Sequence, residues 1–539
     1  MVAIRRMVVP VLSGALLVLA ACEGVQEPKL PTPPYIGPAQ SAAKPSVAPE
    51  VEVAPPPPPA REMPKEGNID LTLSEAVVQC LENNRELRVA RVNPDILRTQ
   101  EDVQRAVFDP VLAATASQQW QMLQNASATG PTQGTDDTFN AGVGLQQYAP
   151  TGTQFGVGLT TTSERTWPGL DPLSSTRLGL NVTQSLLRGY GIEANLASLR
   201  QARLDTQASE YELRGFVLQL VASTEAAYWD YVLAERQIAI FTDSMKLAEQ
   251  QLAETQERIR VGTLAKTELA AAQAEVALRK EQLINANSRR DESRLRLLRL
   301  INPPGGFERT LRLLEGPVVR DVDFGSRDAR IRMALRMRPE MNQVQLLLRR
   351  NELEVIKTRN GALPRLDVFI LLGKTGYAQS FEHTFEGLQN HNYDATVGLN
   401  FEFPLYNRSA EAKLQRSALA RNQARDAIEN LAQLVELDVR AALIEVTRAR
   451  EQVSATAATR ALQEETLRAE MEKFRVGKST SFLVARAQRD LVAGQAAEIE
   501  AVVLYLKSVT ELYRLDGTLL SRRGLDAPGA EPVGDGETR

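Results

Sequence analysis

The sequence of 539 residues predicts a mainly helical protein with long antiparallel helical hairpins, an internal duplication and a smaller membrane β-barrel portion. Two proline-free runs, residues 194–261 and 408–476, have helical periodicity and end in the same tripeptide, Arg-Val-Gly, and a shorter helical run follows each one. A helix of this length would reach about 100 Å, which is too long for a compact domain. Within residues 111–186 and again within 365–404 the apolar period changes to two, which indicates strands.

Residues 1–21 have the pattern of an export signal, because a basic start precedes an apolar run that is too short for a convincing membrane span. The run ends in Leu-Ala-Ala followed by Cys22, which resembles a bacterial lipobox, so we expect Cys22 to carry a lipid. Glu23 stands where an Asp would resemble an inner-membrane retention signal, which favours the outer membrane. An ordinary signal peptide with an incidental cysteine is the alternative. Residues 22–69 are predicted to be the lipidated N-terminus and an extended proline-rich linker that gives the folded body slack.

Composition and motifs exclude several classes of protein. The formal net charge is −4 without any basic block, which argues against a nucleic-acid partner. The sequence contains no phosphate-binding glycine loop, nucleophile elbow or zinc-type cysteine pair, so we expect no enzyme, no catalytic residues, no cofactor and no metal site. His383 and His391 lie in one predicted outer loop, where a solvated loop is favoured over a metal site. Cys80 is predicted to be a small buried hydrophobe.

The duplication predicts two structural repeats, residues 70–301 and 327–520, joined by a connector at 302–326 and followed by a disordered tail at 521–539. The first predicted set is a helix at 73–108, strands within 111–186, a long helix at 194–261 and a helix at 264–301. The second is a helix at 328–363, strands within 365–404, a long helix at 408–476 and a helix at 478–516. Apolar residues of the first long helix follow heptad spacing, which indicates a coiled-coil seam.

The predicted strands are apolar on one face and small or neutral-polar on the other. This pattern suits a membrane barrel with a wet lumen, whereas a soluble sandwich alternates as well. Short and long connections that alternate favour the barrel, because outer-membrane barrels have short periplasmic turns and long outer loops. Aromatic residues near the strand ends also favour it, namely Trp120, Trp167 and Tyr377 on one side and Tyr148, Tyr190 and Tyr406 on the other.

The order of these parts, from Leu71 to about Leu520, resembles the TolC-type outer-membrane efflux protein family, and the lipobox suits a lipoprotein member. The motifs that carry the resemblance flank the strands of each half and end the long helices. They are Ala106-Val-Phe-Asp-Pro110 and Gly361-Ala-Leu-Pro364, Gln184-Ser-Leu-Leu-Arg188-Gly189 and Phe403-Pro-Leu-Tyr-Asn407, and Arg260-Val-Gly262 with Arg475-Val-Gly477. Each motif is weak alone, but all six in this order are specific.

The resemblance implies a homotrimer in which each protomer gives two hairpins to a twelve-helix periplasmic tunnel and at least four strands to one shared barrel. Twelve and eighteen strands both remain open. The implied function is a passive exit duct in the outer membrane for a tripartite efflux or type I secretion system, with a periplasmic adaptor and an inner-membrane transporter as partners. The alternative is a lipid-anchored periplasmic coiled-coil scaffold without channel activity. A neutral-polar lumen fits drugs, metal ions, glycans and polypeptides alike, so the cargo is not predicted.

The resemblance places the functional sites at the two hairpin tips. The residues expected to dock on the adaptor are Arg260, Val261, Gly262 and Thr263 in the first tip and Arg475, Val476, Gly477, Lys478 and Ser479 in the second. Both glycines also suit a helix C-cap. Glu268 lies where family members often carry an entrance carboxylate, whereas Leu483 holds the equivalent place in the second half. The gate is therefore predicted to be a latch in which Glu268 pairs with Lys266, Lys478 or Arg486 and which adaptor binding opens.

Overall fold

A computed structural model describes residues 37–38, 55–57, 67–127, 130–167, 173–320 and 322–534. Cys22 and the export signal lie outside these ranges, so the lipid anchor stays a prediction. The described residues belong to one compact unit of the chain. None of their helices combines the length and the hydropathy of a membrane span.

The first repeat runs from short helices through four strands to two long helices. Strands β1 (Gly37–Pro38) and β2 (Ile69–Leu71) precede it. Its short helices are α1 (Leu73–Asn83), α2 (Arg85–Ala90) and α3 (Asn93–Arg105), and its strands are β3 (Val111–Ser127), β4 (Gly130–Tyr148), β5 (Thr153–Trp167) and β6 (Leu173–Ser185). One helical turn, α4 (Ile192–Asn195), leads into α5 (Ala197–Arg260) and α6 (Thr267–Ile301), and strand β7 (Leu311–Leu313) then pairs in parallel with β2.

The second repeat has the same order with fewer strands. Its elements are α7 (Arg327–Met337), α8 (Pro339–Gly361), β8 (Arg365–Ala378), a loop helix α9 (Phe381–Gly387), β9 (Tyr393–Glu402), α10 (Arg408–Arg475) and α11 (Ser481–Leu515). A short helix α12 (Leu519–Arg522) and strand β10 (Leu525–Asp526) follow, and β10 pairs with β1. The mainly helical fold class is confirmed, and the long helices end within one residue of their predicted ends.

The predicted continuous helices at 73–108 and 328–363 are wrong, because each is broken after 11 residues. The first break is at Asn84, which is extended at φ −63° and ψ 127° and whose side chain accepts a hydrogen bond from the next helix. The second is at Arg338, extended at φ −67° and ψ 125°. Pro339 explains the second break, since a proline disfavours helical geometry in the residue before it. The matching breaks support the internal duplication.

A six-stranded antiparallel sheet joins the two repeats in the order β3-β4-β5-β6-β8-β9. Its register places Leu145 opposite Val157, Val157 opposite Leu180, and Leu180 opposite Leu372, so these apolar side chains share one face. Glycines such as Gly158 and mostly polar residues alternate with them and occupy the other face, which on β8 also carries Phe369 and Leu371. The strands therefore lie where the change of period predicts them, with four from the first repeat and two from the second.

The main hydrophobic core lies where the two repeats pack together with the segments before α1 and after α11. It contains residues of β2, α1, α5, α6 and the segment after α11. Cys80 is 1% exposed within it, which confirms the prediction of a small buried hydrophobe. Burial raises the pKa of its thiol to about 12, although the Thr224 hydroxyl donates a hydrogen bond to the sulfur at 3.2 Å. A thiol in this environment is inert.

The predicted disordered tail at 521–539 is wrong for residues 521–534, which pack on the helices. Leu525 is 4% and Ala527 is 3% exposed. Arg214, itself buried, donates a hydrogen bond to the Ala527 carbonyl at 2.9 Å, so the backbone of the tail is held as well as its apolar side chains. The tail is rich in glycine and charged residues, and this composition predicts disorder although a few apolar residues anchor the tail. Residues 535–539 lie outside the described part.

The predicted seam of the first long helix is buried from Leu213 to Ala234, and of its positions nearer the tip only Ala248 is buried. Leu213, Val217 and Leu220 are 2%, 0% and 4% exposed. Ile238 and Ile259, nearer the tip, are only half-buried. One chain therefore leaves its helical seam incomplete towards the tips.

Candidate functional site

The first hairpin tip, between α5 and α6, turns at a glycine. Gly262 has φ +78°, a left-handed conformation that favours glycine. Its amide donates to the carbonyl of Ile259 at 3.1 Å, and the amide of Thr263 donates to the carbonyl of Arg258 at 2.9 Å. This pair of hydrogen bonds is a Schellman motif, which satisfies the last carbonyls of the helix. The sequence therefore fixes the angle at which the chain leaves α5.

The second tip, between α10 and α11, has the same backbone geometry. Gly477 has φ +74°, its amide donates to the Phe474 carbonyl at 3.1 Å, and the amide of Lys478 donates to the Lys473 carbonyl at 2.8 Å. A Cβ added at either tip glycine would meet no heavy atom within 4 Å, so the left-handed φ alone favours glycine there. The two tips are thus matching, solvent-exposed turns.

Each tip exposes an apolar side chain next to an arginine that forms an ion pair within its own helix. Val261 is 59% and Val476 is 65% exposed. Arg260 forms an ion pair with Glu257 at 2.5 Å, and that hydrogen bond raises the pKa of the guanidinium. Arg475 forms the corresponding pair at 3.5 Å, with a glutamate three residues earlier. Such exposed pairs contribute little to stability, so both arginines are available to a partner.

Glu470 ties the second tip to its own helix. Lys473 approaches the Glu470 carboxylate at 2.6 Å, and the Ser479 hydroxyl donates to it at 2.7 Å. These two hydrogen bonds lower the pKa of Glu470. In the first tip, Thr255 and Leu264 occupy the corresponding positions, so the tips share a backbone but differ in their side-chain contacts.

Two contacts join the hairpins to each other near their tips. The Ser481 hydroxyl, at the start of α11, donates to the Glu268 carboxylate, at the start of α6, at 2.6 Å. The Arg258 guanidinium lies 5.0 Å from the centroid of the Phe474 ring, within the range of a cation–π contact. The sequence did not predict either pair, because each joins residues more than 200 positions apart.

The predicted gate residues are only partly brought together. Lys266, Lys478 and Arg486 are exposed, and Glu268 is half-buried. In the described part of this single chain, Glu268 contacts Ser481 and forms no ion pair with the three basic residues.

A buried ion pair further along the hairpin was missed by sequence reasoning. Arg279 is 2% exposed and lies 2.5 Å from Glu275, one turn earlier on α6. Arg489 of α11 approaches the same carboxylate at 3.7 Å. A Glu–Arg pair four residues apart is usual on a solvated helix, so the spacing gave no sign that this one is covered.

Ion pairs link strands on the small-residue face of the sheet, and one of them spans three strands. Arg177 of β6 crosses Gly373 of β8 and lies 2.5 Å from Asp394 of β9. A Cβ on Gly373 would collide with both charged side chains. The glycine thus makes room for the pair, and the pair cancels the charge at this point.

Comparison with known proteins shows to which family the chain belongs. The family model for outer membrane efflux proteins matches residues 76–303 and 330–518, most of the sequence. The chain belongs to the outer membrane efflux protein family. It is 23% identical over 455 residues, 83% of each chain, to the probable efflux pump outer membrane protein TtgC of Pseudomonas putida. The resemblance found in the motifs is confirmed.

Two solved structures show the same fold at low identity. The CmeC outer membrane channel of Campylobacter jejuni has a TM-score of 0.63 and 15% identity, and the match covers 90% of this chain and 95% of that one. The open state of the MtrE outer membrane channel of Neisseria gonorrhoeae has a TM-score of 0.59 and 18% identity, and covers 93% and 98%.

The histidines are separate from the tips of this efflux protein. His383 lies in the loop helix α9, where its Nδ1 is 2.8 Å from the Ser380 hydroxyl. Across the described residues, no three His, Cys, Asp or Glu side chains cluster in a way that would hold a metal ion.

Proposed function

We propose that this chain is the outer-membrane exit duct of an efflux system and that it passively conducts substrate received from a periplasmic adaptor and an inner-membrane pump. The observation that supports this most is the sheet, whose order ends at β3 and β9 and so leaves two open edges in one chain. Closing the sheet into a barrel removes such edges. Three copies of six strands supply eighteen, an even number within the range of outer-membrane barrels.

The two faces of the sheet fit a barrel wall. On β9, Val397, Leu399 and Phe401 point to one side and are 72%, 70% and 65% exposed in the single chain. Lipid would cover this apolar face, whereas the glycine and neutral polar face would line water. The lipid on Cys22 would add an anchor in the same membrane.

Exposed apolar residues on α10 support a homotrimer. Leu437, Ile444 and Leu462 are 62%, 70% and 65% exposed. Runs of exposed large apolar side chains mark an interaction surface. In a trimer the helices of neighbouring copies would cover them and build the periplasmic tunnel, as three-fold closure of one repeated contact allows.

The hairpin tips are the proposed adaptor-docking surface, formed by Arg260, Val261, Gly262 and Thr263 with Arg475, Val476, Gly477, Lys478 and Ser479. Their exposed valines and arginines provide an apolar contact with a charged rim. The gate would combine the Glu268–Ser481 contact within each chain with ion pairs to Lys266, Lys478 or Arg486 of a neighbouring copy. Adaptor binding would favour the arrangement in which these contacts are broken.

Conductance of the purified protein in a planar lipid bilayer tests the duct. Neighbouring cysteine substitutions on β9 make the test specific, because Thr396 lies on the polar face and Val397 on the apolar face. A charged thiol reagent is expected to reduce the current of Thr396→Cys and leave that of Val397→Cys unchanged. Cys80 is buried, so the reagent should not modify it in the folded protein. A protein that passes no ions in any variant would support the scaffold alternative and refute the duct.

A further inference from the structure

We propose that Pro55–Pro57 of the N-terminal proline-rich segment are docked in an aromatic groove of the folded body, so that the segment is not slack at this point. Pro57 lines a cavity of about 580 Å³ together with Trp229, Tyr505 and Tyr513. It is half-buried, whereas the two prolines before it are exposed. Pro57 therefore forms part of the wall of this groove, and the occupant that we propose is the segment of the same chain that contains it.

The groove has the chemistry that recognises polyproline. Trp229, Tyr505 and Tyr513 are 7%, 2% and 7% exposed, so their rings are fixed by packing. Trp229 packs edge to face on the Tyr228 ring at 5.2 Å, and the Tyr505 hydroxyl donates to a backbone carbonyl at 3.2 Å. Aromatic grooves of this kind bind proline-rich segments because a polyproline helix is extended before it binds and loses little entropy.

The groove exists only where the two repeats meet. Trp229 belongs to α5 of the first repeat, and Tyr505 belongs to α11 of the second. The segment after α11 forms another wall, where Arg523 pairs with the buried Glu225 of α5 at 2.6 and 2.7 Å. Thr510 donates to the same carboxylate at 2.7 Å. A proline seated here would lie between residues of both repeats.

Two backbone pairings hold the N-terminal segment on either side of Pro57. Upstream, β1 (Gly37–Pro38) pairs antiparallel with β10. Downstream, β2 (Ile69–Leu71) pairs in parallel with β7. Among the described residues, the N-terminal segment is thus held at three places. The docking itself does not depend on acylation of Cys22.

Limited trypsin digestion of the full-length protein tests the docking, because Arg61 and Lys65 follow Pro57 closely in sequence. The variant replaces Pro55, Pro56 and Pro57 together by glycine. Cleavage tracks the fraction of time for which the segment is free, so we expect it to become about tenfold faster at these two sites. The fragments are identified by their masses.

The matched control replaces Pro31, Pro33 and Pro34 by glycine in the same N-terminal region, and we expect parental cleavage rates. Thermal unfolding of both variants should match the parent, because none of the substituted prolines belongs to the hydrophobic core of the described residues. Unchanged cleavage in the Pro55–Pro57 variant would overturn the docking. Equal acceleration in both variants would also overturn it, since loss of chain stiffness would then explain the result.

Discussion

Replacing Gly477 by alanine tests the turn that ends the second hairpin. Gly477 has φ +74°, and an added Cβ would meet no heavy atom within 4 Å. The cost is therefore conformational and not steric, about 1–2 kcal/mol for an L-residue in the left-handed region. Since the amides of Gly477 and Lys478 close the tip, local opening should increase by roughly 5–30-fold.

Amide hydrogen exchange read by mass spectrometry measures this opening directly. We expect the peptide that covers residues 470–480 to exchange faster by that factor. The buried stretch of α10 at residues 442–449 should keep its parental rate, because it lies far from the substitution. Gly477→Asn should have a smaller effect, since asparagine tolerates the left-handed region.

Gly361→Ala is the matched control, because a Cβ at Gly361 also meets open space and its φ is not positive. It should leave exchange at the tip unchanged. Gly262→Ala should reproduce the effect at the first tip, where φ and the hydrogen bonds match those of the second. Parental exchange in Gly477→Ala would refute the view that the Schellman turn holds the tip.

Four further predictions each concern the surroundings of one residue. Ser481→Ala removes the hydrogen bond to Glu268, worth about 1 kcal/mol, and should raise the open probability in planar bilayers; unchanged gating would exclude this contact from the gate. Gly373→Val should lower the melting temperature of the protein, because the side chain collides with the ion pair beside it, and a parental melting temperature would show that the pair is dispensable. Cys80 should resist maleimide at pH 8 until the protein unfolds, since its thiol pKa is about 12, and rapid labelling of folded protein would contradict its burial. Hydrogen bonds lower the pKa of Glu470 in the folded protein below 4.5. The ionised carboxylate should therefore protect the amides of the tip from hydrogen exchange above pH 4.5, and this protection should be lost as the pH falls through the folded pKa. Glu470→Gln should abolish that pH dependence, and a pH dependence that persists would assign it to another group.

The long helices, the strands and the tips follow from the sequence because each depends on local pattern. Helical periodicity and the absence of proline identify α5 and α10, and alternation identifies the sheet. Gly262 and Gly477 indicate the two turns, because a helix that ends in a left-handed residue favours glycine at that position. These features need no knowledge of which residues meet across the fold.

Contacts between distant residues could not be predicted in the same way. The pairing of Glu268 with Ser481 joins residues 213 positions apart, and neither side chain carries a pattern that selects the other. The polar composition of the tail after residue 520 predicts disorder, yet the buried side chains of Leu525 and Ala527 anchor it. Such packing is decided by the shape of the groove that the tail meets, which a single sequence does not reveal.

Native mass spectrometry of the detergent-extracted protein tests the central claim most directly, because the open sheet and the incomplete helical seams need other copies of the chain. The account predicts a particle of three identical chains that stays in solution only with detergent. A single chain that remains monodisperse in water without detergent would contradict it.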